Sequence, residues 1–344
     1  MADFDVIIPN LHWNYTGVTA TNRMIAPRVA RVITARWLGP DAPDGIARIG
    51  FADLMRLRWR RTLPVVWHAR RNNEMMAGLL LKALGWPLKL VFTSAAQRHH
   101  TWITRWLIGR MDAVMAASPA AASYLKVPAT VILHGVDTER YRPPENRAAA
   151  FAESGLPGRY AVGCFGRVRH QKGTDVFVDA MCRLLPSYPD FSAAIVGAID
   201  DENFARGLHE KIAAAGLQER IRITGELPIN DVPQWYRRIL IYAFTSRNEG
   251  FGLTILEAMA SGDARVAARA GGAEAVITGT DAGMLVPPGD VAALVAALEP
   301  LMRDPETAAA MGQRARAHVL AHFSVETEAE KIASVYRDVL SGKG

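Results

Sequence analysis

The sequence has little sulfur, no long apolar run and no glycine fingerprint of the dinucleotide or nucleoside-triphosphate kind. Two cysteines stand among 344 residues, Cys164 inside YAVGCFG and Cys182 in a helix-like run. Thiols so placed read as core residues, which disfavours a disulfide scaffold or a metal cluster and fits a reducing compartment. No uninterrupted apolar stretch approaches the roughly 18 residues that a bilayer crossing needs. The best candidate, MMAGLLLKALGW, is broken by Lys82. The opening MADFDVIIPN is acidic and runs directly into strand-like sequence, which is wrong for a secretory signal, so the expectation is a soluble or peripheral chain. No cluster of His, Asp or Cys has metal-ligand spacing, and no repeat at solenoid period or low-complexity tract is found.

What is present describes a large, well-packed protein. Half of the residues (50%) are hydrophobic, and 344 residues are about twice a usual domain, so two domains are expected. The net charge of +6 is unevenly divided: residues 1–150 carry 20 Lys and Arg against 10 Asp and Glu, and residues 151–344 carry 20 against 24. A polyanion-facing surface would therefore belong to the first half. There Arg56, Arg58, Arg60, Arg61, Arg70 and Arg71 lie close in sequence with Trp59 and Trp67 among them. An anionic membrane and a nucleic acid both remain possible partners on this pattern, as does a plain solvated face.

Short apolar runs alternate with helix-like ones. DVIIPN, PVVWHA, LKLVFTS, AVMAAS and ATVILHG read as strands in the first half; YAVGCFG, FSAAIVGA, IRITGE, LIYAFTS, ARVAARA and MLVPPG do so in the second. NNEMMAGLLLKAL, AAASYL and the closing SVETEAEKIASVYRDVL read as helices. Near-continuous apolar strands separated by helices predict parallel sheets covered on both faces, hence an α/β fold of two Rossmann-like doubly wound domains. The Pro- and charge-rich GVDTERYRPPENR marks the boundary between an N-terminal domain of residues 1–143 and a C-terminal domain of residues 144–324, followed by a terminal helix over 325–344.

Open parallel sheets bind ligands beyond the carboxyl ends of their strands. In GRVRHQKGTDVFVDAM, Gly166 permits a tight turn, Arg167 and Lys172 flank a short loop, and Gly173-Thr174 precedes an amphipathic helix. A helix N-terminus beside two cations suits a diphosphate, although a surface turn with solvated cations competes as a reading. The second place is RNEGFGLTILEAM. Glu249 precedes a Gly250-Phe251-Gly252 turn that allows close backbone approach, and Glu257 sits inside Leu253–Ala260, a run apolar on every side. A buried carboxylate costs several kcal/mol, on the order of 3–5, unless something satisfies it. The hydroxyls of a sugar and a ribose would do so, and a buried Arg is the plainer alternative.

GRVRHQKG, then EGFGLTILE with its two acids, then MASG and AGG, resemble the donor half of glycosyltransferase family 4, retaining enzymes of the GT-B fold, whose two domains face each other across a cleft. VILHGVDTERYRP resembles the family's inter-domain segment, and the terminal helix resembles the one that crosses back to the N-terminal domain. The resemblance implies that Arg167 and Lys172 hold the donor diphosphate, with Gly166 and Gly17 bringing backbone close to it. It further implies that Glu249 and the backbone of Gly250, Phe251, Gly252 and Leu253 hold the sugar, and that Glu257 takes the ribose hydroxyls. IIPNLHWNYTGVTATNRM, VVWHARRNNEM and FTSAAQRHH are similar to the alphaproteobacterial lipopolysaccharide core mannosyltransferases. That similarity implies GDP-mannose as donor, no cofactor or metal, a Kdo–lipid A acceptor, an anionic membrane rather than nucleic acid as partner, and a place on the cytoplasmic face of the inner membrane. His68, ending the VVWH strand, is the candidate catalytic group from this half, and Arg70, Arg71, Arg98 and His99 are the acceptor candidates.

Two departures from the family pattern stand out. Phe92-Thr93-Ser94 occupy a strand end where many relatives carry a His, and Gly262-Asp263-Ala264-Arg265-Val266 replaces Gly-x-Pro-Val-Val, which puts an Arg into a strand that should be buried. Rival functions are transfer with another donor or acceptor, a nucleotide-sugar epimerase of the same architecture, a dinucleotide dehydrogenase and a nucleic-acid-binding protein.

Overall fold

The computed structural model describes residues 4–12, 17–60 and 63–342. Trp13–Thr16, which carry part of the first-half resemblance, and Arg61 lie outside the described residues, as does the Arg60 side chain. In chain order the elements are β1 (Val6–Pro9), α1 (Gly17–Val32), β2 (Ala35–Leu38), α2 (Phe51–Arg60), β3 (Val65–Ala69), α3 (Asn72–Ala83), β4 (Leu88–Ser94), α4 (Trp102–Ile108), β5 (Ala113–Ala116), α5 (Pro119–Ser123) and β6 (Thr130–Val131). There follow α6 (Arg147–Ala152), β7 (Tyr160–Phe165), α7 (Thr174–Leu184), β8 (Phe191–Val196), α8 (Glu202–Ala214), β9 (Ile221–Ile223), α9 (Val232–Arg238), β10 (Ile241–Phe244), α10 (Leu253–Ala260), β11 (Ala264–Ala268), α11 (Ala273–Ile277) and β12 (Met284–Val286). The chain closes on α12 (Val291–Arg303), α13 (Pro305–His322) and α14 (Val325–Leu340). Two compact units result, Met1–Gly135 with Val325–Gly344, and Val136–Ser324.

Each unit holds a six-stranded parallel sheet. The first has the order β2-β1-β3-β4-β5-β6, and the period-2 alternation of its strands sorts the apolar residues cleanly. Ile7, Val65, Trp67, Leu90, Phe92 and Val114 face one core, which Leu54 and Leu57 of α2, Met75 of α3 and Leu107 and Ile108 of α4 complete. Val6, Ile8, Val66, Val91 and Met115 face the other, covered by Ile25 and Val29 of α1 and by α14. Helix α14 presents Val325, Ala329, Ile332, Tyr336 and Val339 to this core at the spacing of a single helical stripe. The second sheet has the order β12-β11-β10-β7-β8-β9, the doubly wound arrangement in which the first and fourth strands of the unit are neighbours. Connections leave those two strands in opposite directions, so the crevice of this sheet opens beyond the ends of β7 and β10.

Arg265 lies in β11, fully buried, and its three guanidinium nitrogens have no hydrogen-bond partner. Gly283 makes room for it: a Cβ there would lie 2.7 Å from the Arg265 Cγ. Asp263, also fully buried, is bonded not by Arg265 but by Arg147, whose Nη1 donates to Oδ1 at 2.9 Å, while its Oδ2 has no partner. Burial pushes the Asp263 carboxyl up to about 7 against the pull of Arg147, and pushes Arg265 down to about 9.

A charge buried without a partner is a stability cost that an apolar residue of similar length removes, so Arg265→Met should raise the free energy of unfolding by about 1–4 kcal/mol. Chemical denaturation of the two proteins checks this, and a less stable variant would contradict it. Asp263 titrates near 3.8 when unfolded and near 7 when folded. The stability linked to its protonated form is therefore complete below about pH 4 and lost as the pH rises to about 7. Asp263→Asn should accordingly gain in melting temperature relative to the parent across that window, and a pH-independent difference would contradict the burial argument.

Candidate active site

Two loops meet at the crevice of the second sheet. After β7 the chain turns at Gly166, whose N–H donates to the Val196 carbonyl at 2.9 Å, and runs through Arg167–Lys172 to α7. After β10 it runs through Thr245–Gly252 to α10. Gly173 has φ 66°, and a Cβ there would lie 1.9 Å from the Thr245 carbonyl oxygen, so only glycine lets the loops touch. The Thr245 hydroxyl donates to the Lys172 carbonyl at 3.0 Å, the Arg247 N–H to the Gln171 carbonyl at 2.9 Å, and the Gln171 amide to the Asn248 carbonyl at 3.0 Å. Arg247 completes the staple with a two-pronged pair to Asp175, both contacts 2.7 Å, which raises its own pKa.

Four of the eight α-helices of this unit start under a capping side chain: α6, α8, α12 and α13 use Asn146, Asp201, Asp290 and Asp304. The helices of the crevice do not. Gly173 precedes α7 and Gly252, φ 90°, precedes α10, and neither helix has a side-chain cap. At α7 the Asp175 carboxylate, itself held by Arg247, lies against the N–H groups of Asp175 and Val176, whereas α10 starts on glycine with no capping side chain, an arrangement suited to a ligand oxygen.

The charged groups converge on the same place. The Lys172 ammonium and the Glu249 carboxylate are in direct contact, both side chains largely buried, and the Gly250 N–H donates to the other Glu249 oxygen at 3.2 Å. Arg167 is 56% exposed and weakly paired with Asp200 at 3.4 Å, which Arg169 also meets at 3.0 Å. Phe251 is buried and holds the turn in place: Gly272 donates its N–H to the Phe251 carbonyl at 2.7 Å, and a Cβ on Gly272 would lie 2.6 Å from the Phe251 ring. The AGG stretch is therefore the seat of the Glu249 turn. Leu253 opens α10.

Glu257 is half-buried on α10, whose Ile255, Leu256, Ala258, Met259 and Ala260 are buried around it. Its partner is the Tyr236 hydroxyl, which donates to Oε2 at 2.8 Å, rather than a buried Arg. Tyr236 in turn stacks on Phe165 at the end of β7, with ring centroids 3.8 Å apart. Burial raises the Glu257 pKa, and the hydroxyls of Tyr236 and Tyr141 and the charge of Arg140 oppose that rise. Burial and the Glu257 charge together raise the Tyr236 pKa well above its usual value, so this hydroxyl stays a donor. The carboxylate is thus held by neutral donors and keeps lone pairs for a further hydroxyl.

The candidates of the first unit gather at the β1/β3 reversal of its strand order and after β4. His68 is 1% exposed, with Nδ1 2.5 Å from the Tyr336 hydroxyl of α14 and Nε2 2.7 Å from the Thr93 hydroxyl. Burial and the Arg70 charge lower its pKa well below the usual value, so it is a neutral imidazole with both nitrogens engaged. To take a proton it would have to release a partner. Arg71 donates to the Asn10 amide oxygen at 3.1 Å and to the Thr19 hydroxyl at 2.8 Å, and pairs with buried Glu74 at 3.3 Å. Glu74 also accepts from the Arg70 and Arg71 N–H groups at 2.7 and 3.1 Å. Arg70 is half-buried within the field of Glu328, Tyr336 and Glu74, whereas Arg98 and His99 are exposed on the loop after β4. Gly17 opens α1, on the loop that follows β1. The Arg56–Arg71 stretch does not form one surface cluster: Trp67 is 1% exposed, its indole N–H bonded to the Glu74 carbonyl, and Arg71 is committed to its neighbours.

Sequence reading missed Arg247, Asp175, Tyr236 and Tyr141. Arg247 and Asp175 each follow a candidate strand closely, which was the available signal. Tyr236 and Tyr141 carried none, since they reach Glu257 from other elements. Among the described residues no group of three or more His, Cys, Asp or Glu side chains could hold a metal ion.

Comparison with known proteins identifies the family. The family model for glycosyl transferases group 1 matches residues 146–318. A lipopolysaccharide core biosynthesis mannosyltransferase of Rhizobium leguminosarum bv. viciae is 49% identical over 98% of this chain and 97% of its own length. A second protein of that description, from Rhizobium meliloti, is 43% identical over 98% of both chains. The crystal structure of Anabaena HepE with UDP and glucose shares the fold with a TM-score of 0.81, at 21% identity over 98% of this chain and 100% of that one. The C-terminal domain of a group 1 glycosyl transferase from Francisella tularensis, 35% identical, covers 55% of this chain and 99% of its own, with a TM-score of 0.53. Paired Rossmann-like sheets, a stapled crevice carrying both acids and near-full-length relatives lead to one assignment: this chain belongs to the group 1 glycosyl transferases, retaining enzymes of the GT-B fold.

Proposed function

We propose that the protein transfers mannose from GDP-mannose to a Kdo-containing lipopolysaccharide core acceptor, with retention at the anomeric carbon. The observation that carries this reading is the Lys172–Glu249 contact at the crevice of the second sheet, which puts a cation for a diphosphate beside a carboxylate for a sugar. The full-length relatives described as lipopolysaccharide core mannosyltransferases supply the sugar and the acceptor class.

In this reading the diphosphate lies beside the N-terminus of α7, between Lys172 and Arg167, which gives up its weak hold on Asp200. Glu249 and the backbone of Gly250–Leu253 orient the mannose, and Glu257, poised on Tyr236, accepts from the ribose hydroxyls. Gly166 lets backbone approach the phosphates. The acceptor oxygen attacks the anomeric carbon from the side the diphosphate leaves. The carbon–oxygen bond to GDP breaks, and the acceptor proton passes to a diphosphate oxygen whose growing charge Lys172 and Arg167 stabilise. His68 keeps Thr93 and Tyr336 in place at the acceptor side. Arg98 and His99 meet the acceptor's anionic groups, and Arg70 and Arg71 shape the neighbouring strand end. No cofactor enters. An anionic membrane surface, on the cytoplasmic face of the inner membrane, presents the acceptor, for which the basic first half is suited.

Incubation with GDP-mannose and Kdo–lipid A should give a mannosylated product; transfer only from another nucleotide sugar, or only to another acceptor, would refute the substrate assignment while leaving the fold intact. Removing either cation takes away a contact that strengthens as the diphosphate departs. Lys172→Ala and Arg167→Ala should therefore lower kcat by about a hundredfold in a folded protein, and unchanged turnover in both would sink the donor reading. Glu257→Gln should weaken GDP-mannose binding more than it slows bound donor, and Glu249→Gln should do the reverse. Titration calorimetry with single-turnover kinetics separates the two, and equal behaviour of both variants would contradict the assigned roles.

A further inference from the structure

The helices α2, α3 and α4 form one layer over a face of the first sheet. Each buries one side in the same core, and Asn72 of α3 is tied to Thr104 of α4 by a 2.8 Å hydrogen bond. Arg58 of α2 stacks on Trp86, just beyond α3, at 5.1 Å. The outer side of this layer is not polar as a solvated helix face would be. Met76, Leu80 and Leu84 make a stripe along α3, with Leu80 61% exposed. Trp102 and Trp106 stand one turn apart on α4, and Trp102 is 70% exposed. Trp59, at the end of α2, is 77% exposed. Large apolar side chains left exposed on one layer of helices mark a docking surface.

We infer that this α2–α3–α4 face is where the protein lies on an anionic lipid bilayer, aromatic and aliphatic side chains entering the headgroup zone. The inference rests on the proposed lipid-linked acceptor and locates the surface that reaches it. Charge complementarity selects the bilayer. Arg58, Arg98, Arg105 and Arg110 border the apolar residues, Arg110 stacks on Trp106 at 3.6 Å and Arg58 on Trp59 at 4.8 Å. The acids nearby are already taken: Asp53 pairs with Arg56, Asp112 with Lys82, and Glu74 is buried against Arg71. Tryptophan bodies flanked by cations are the composition of a membrane-interface anchor. A second copy of the chain fits poorly, because a two-fold contact would set the same unpaired arginines against one another. Arg98 and His99 lie on the loop that leads directly into α4, so a bilayer under this face delivers a lipid-linked saccharide to them.

Sedimentation of the full-length protein with vesicles tests the inference without donor or acceptor, so its outcome is independent of the substrate assignment. Binding to phosphatidylethanolamine–phosphatidylglycerol vesicles should exceed binding to phosphatidylcholine vesicles and weaken with salt. The combined variant Leu80→Ser, Trp102→Ser, Trp106→Ser should lose at least about tenfold in affinity, and Arg105→Ala with Arg110→Ala should lose much of the salt dependence. Both variants should keep the parent's turnover on a soluble, acyl-free acceptor, which also reports that they are folded. Parent-like vesicle binding by the triple variant would overturn the inference. So would a parent that is dimeric in solution and a triple variant that is monomeric, with neither bound to vesicles.

Discussion

The proposed donor site depends on one constraint, that the loops leaving β7 and β10 be held against each other without a gap. In a doubly wound sheet these two strands are neighbours whose connections diverge, so nothing in the sheet itself joins their ends. The joint is made locally, by Gly173 against the Thr245 carbonyl, by the Arg247–Asp175 pair and by Lys172 touching Glu249. The two acids of the site are then satisfied in different ways. Glu249 has a cation and a backbone N–H, and Glu257 has neutral tyrosine hydroxyls. The first pairing is one that a diphosphate can compete for, and the second leaves a carboxylate able to accept from a ribose.

The first unit solves a related problem with α14. A sheet with two apolar faces needs helices on both, and α14 supplies part of one cover along with two polar anchors. Tyr336 meets His68 at the end of β3, and Glu328 accepts from the Gly135 N–H and meets the His134 Nδ1, both at 2.8 Å. Buried polar groups of this kind are costly alone and rigid when satisfied, so these strand ends are fixed by a helix that arrives from the far end of the sequence.

Much of this was legible in the sequence because parallel strands covered on both faces read as unbroken apolar runs, and every such run named from the sequence is a strand. Strand β2 was missed: ARWL carries Arg36 and lies at the sheet edge with alternate residues half-exposed, so it lacks the apolar signature. The strand-to-helix loops were legible because glycines and charges there break the pattern on both sides. The partners of those charges were not. Glu257 meets Tyr236 from α9, and Asp263 takes Arg147 from α6 rather than Arg265 two residues away, pairings that only the packing decides. The basic stretch around Trp59 and Trp67 misled for the same reason, since one of these tryptophans is in a sheet and the other on the surface. The outer apolar face of α3 was not singled out, because sequence cannot tell which of two hydrophobic sides a helix buries.

The central claim is that the stapled β7 and β10 loops are the donor site. Amide hydrogen exchange with and without GDP-mannose tests it most directly, because a ligand slows the local openings of the segments it holds. The account predicts slowed exchange over residues 166–176 and 247–257, with β9 and α8 unaffected. Protection absent from both loops at saturating GDP-mannose, or confined to the first unit, would contradict it.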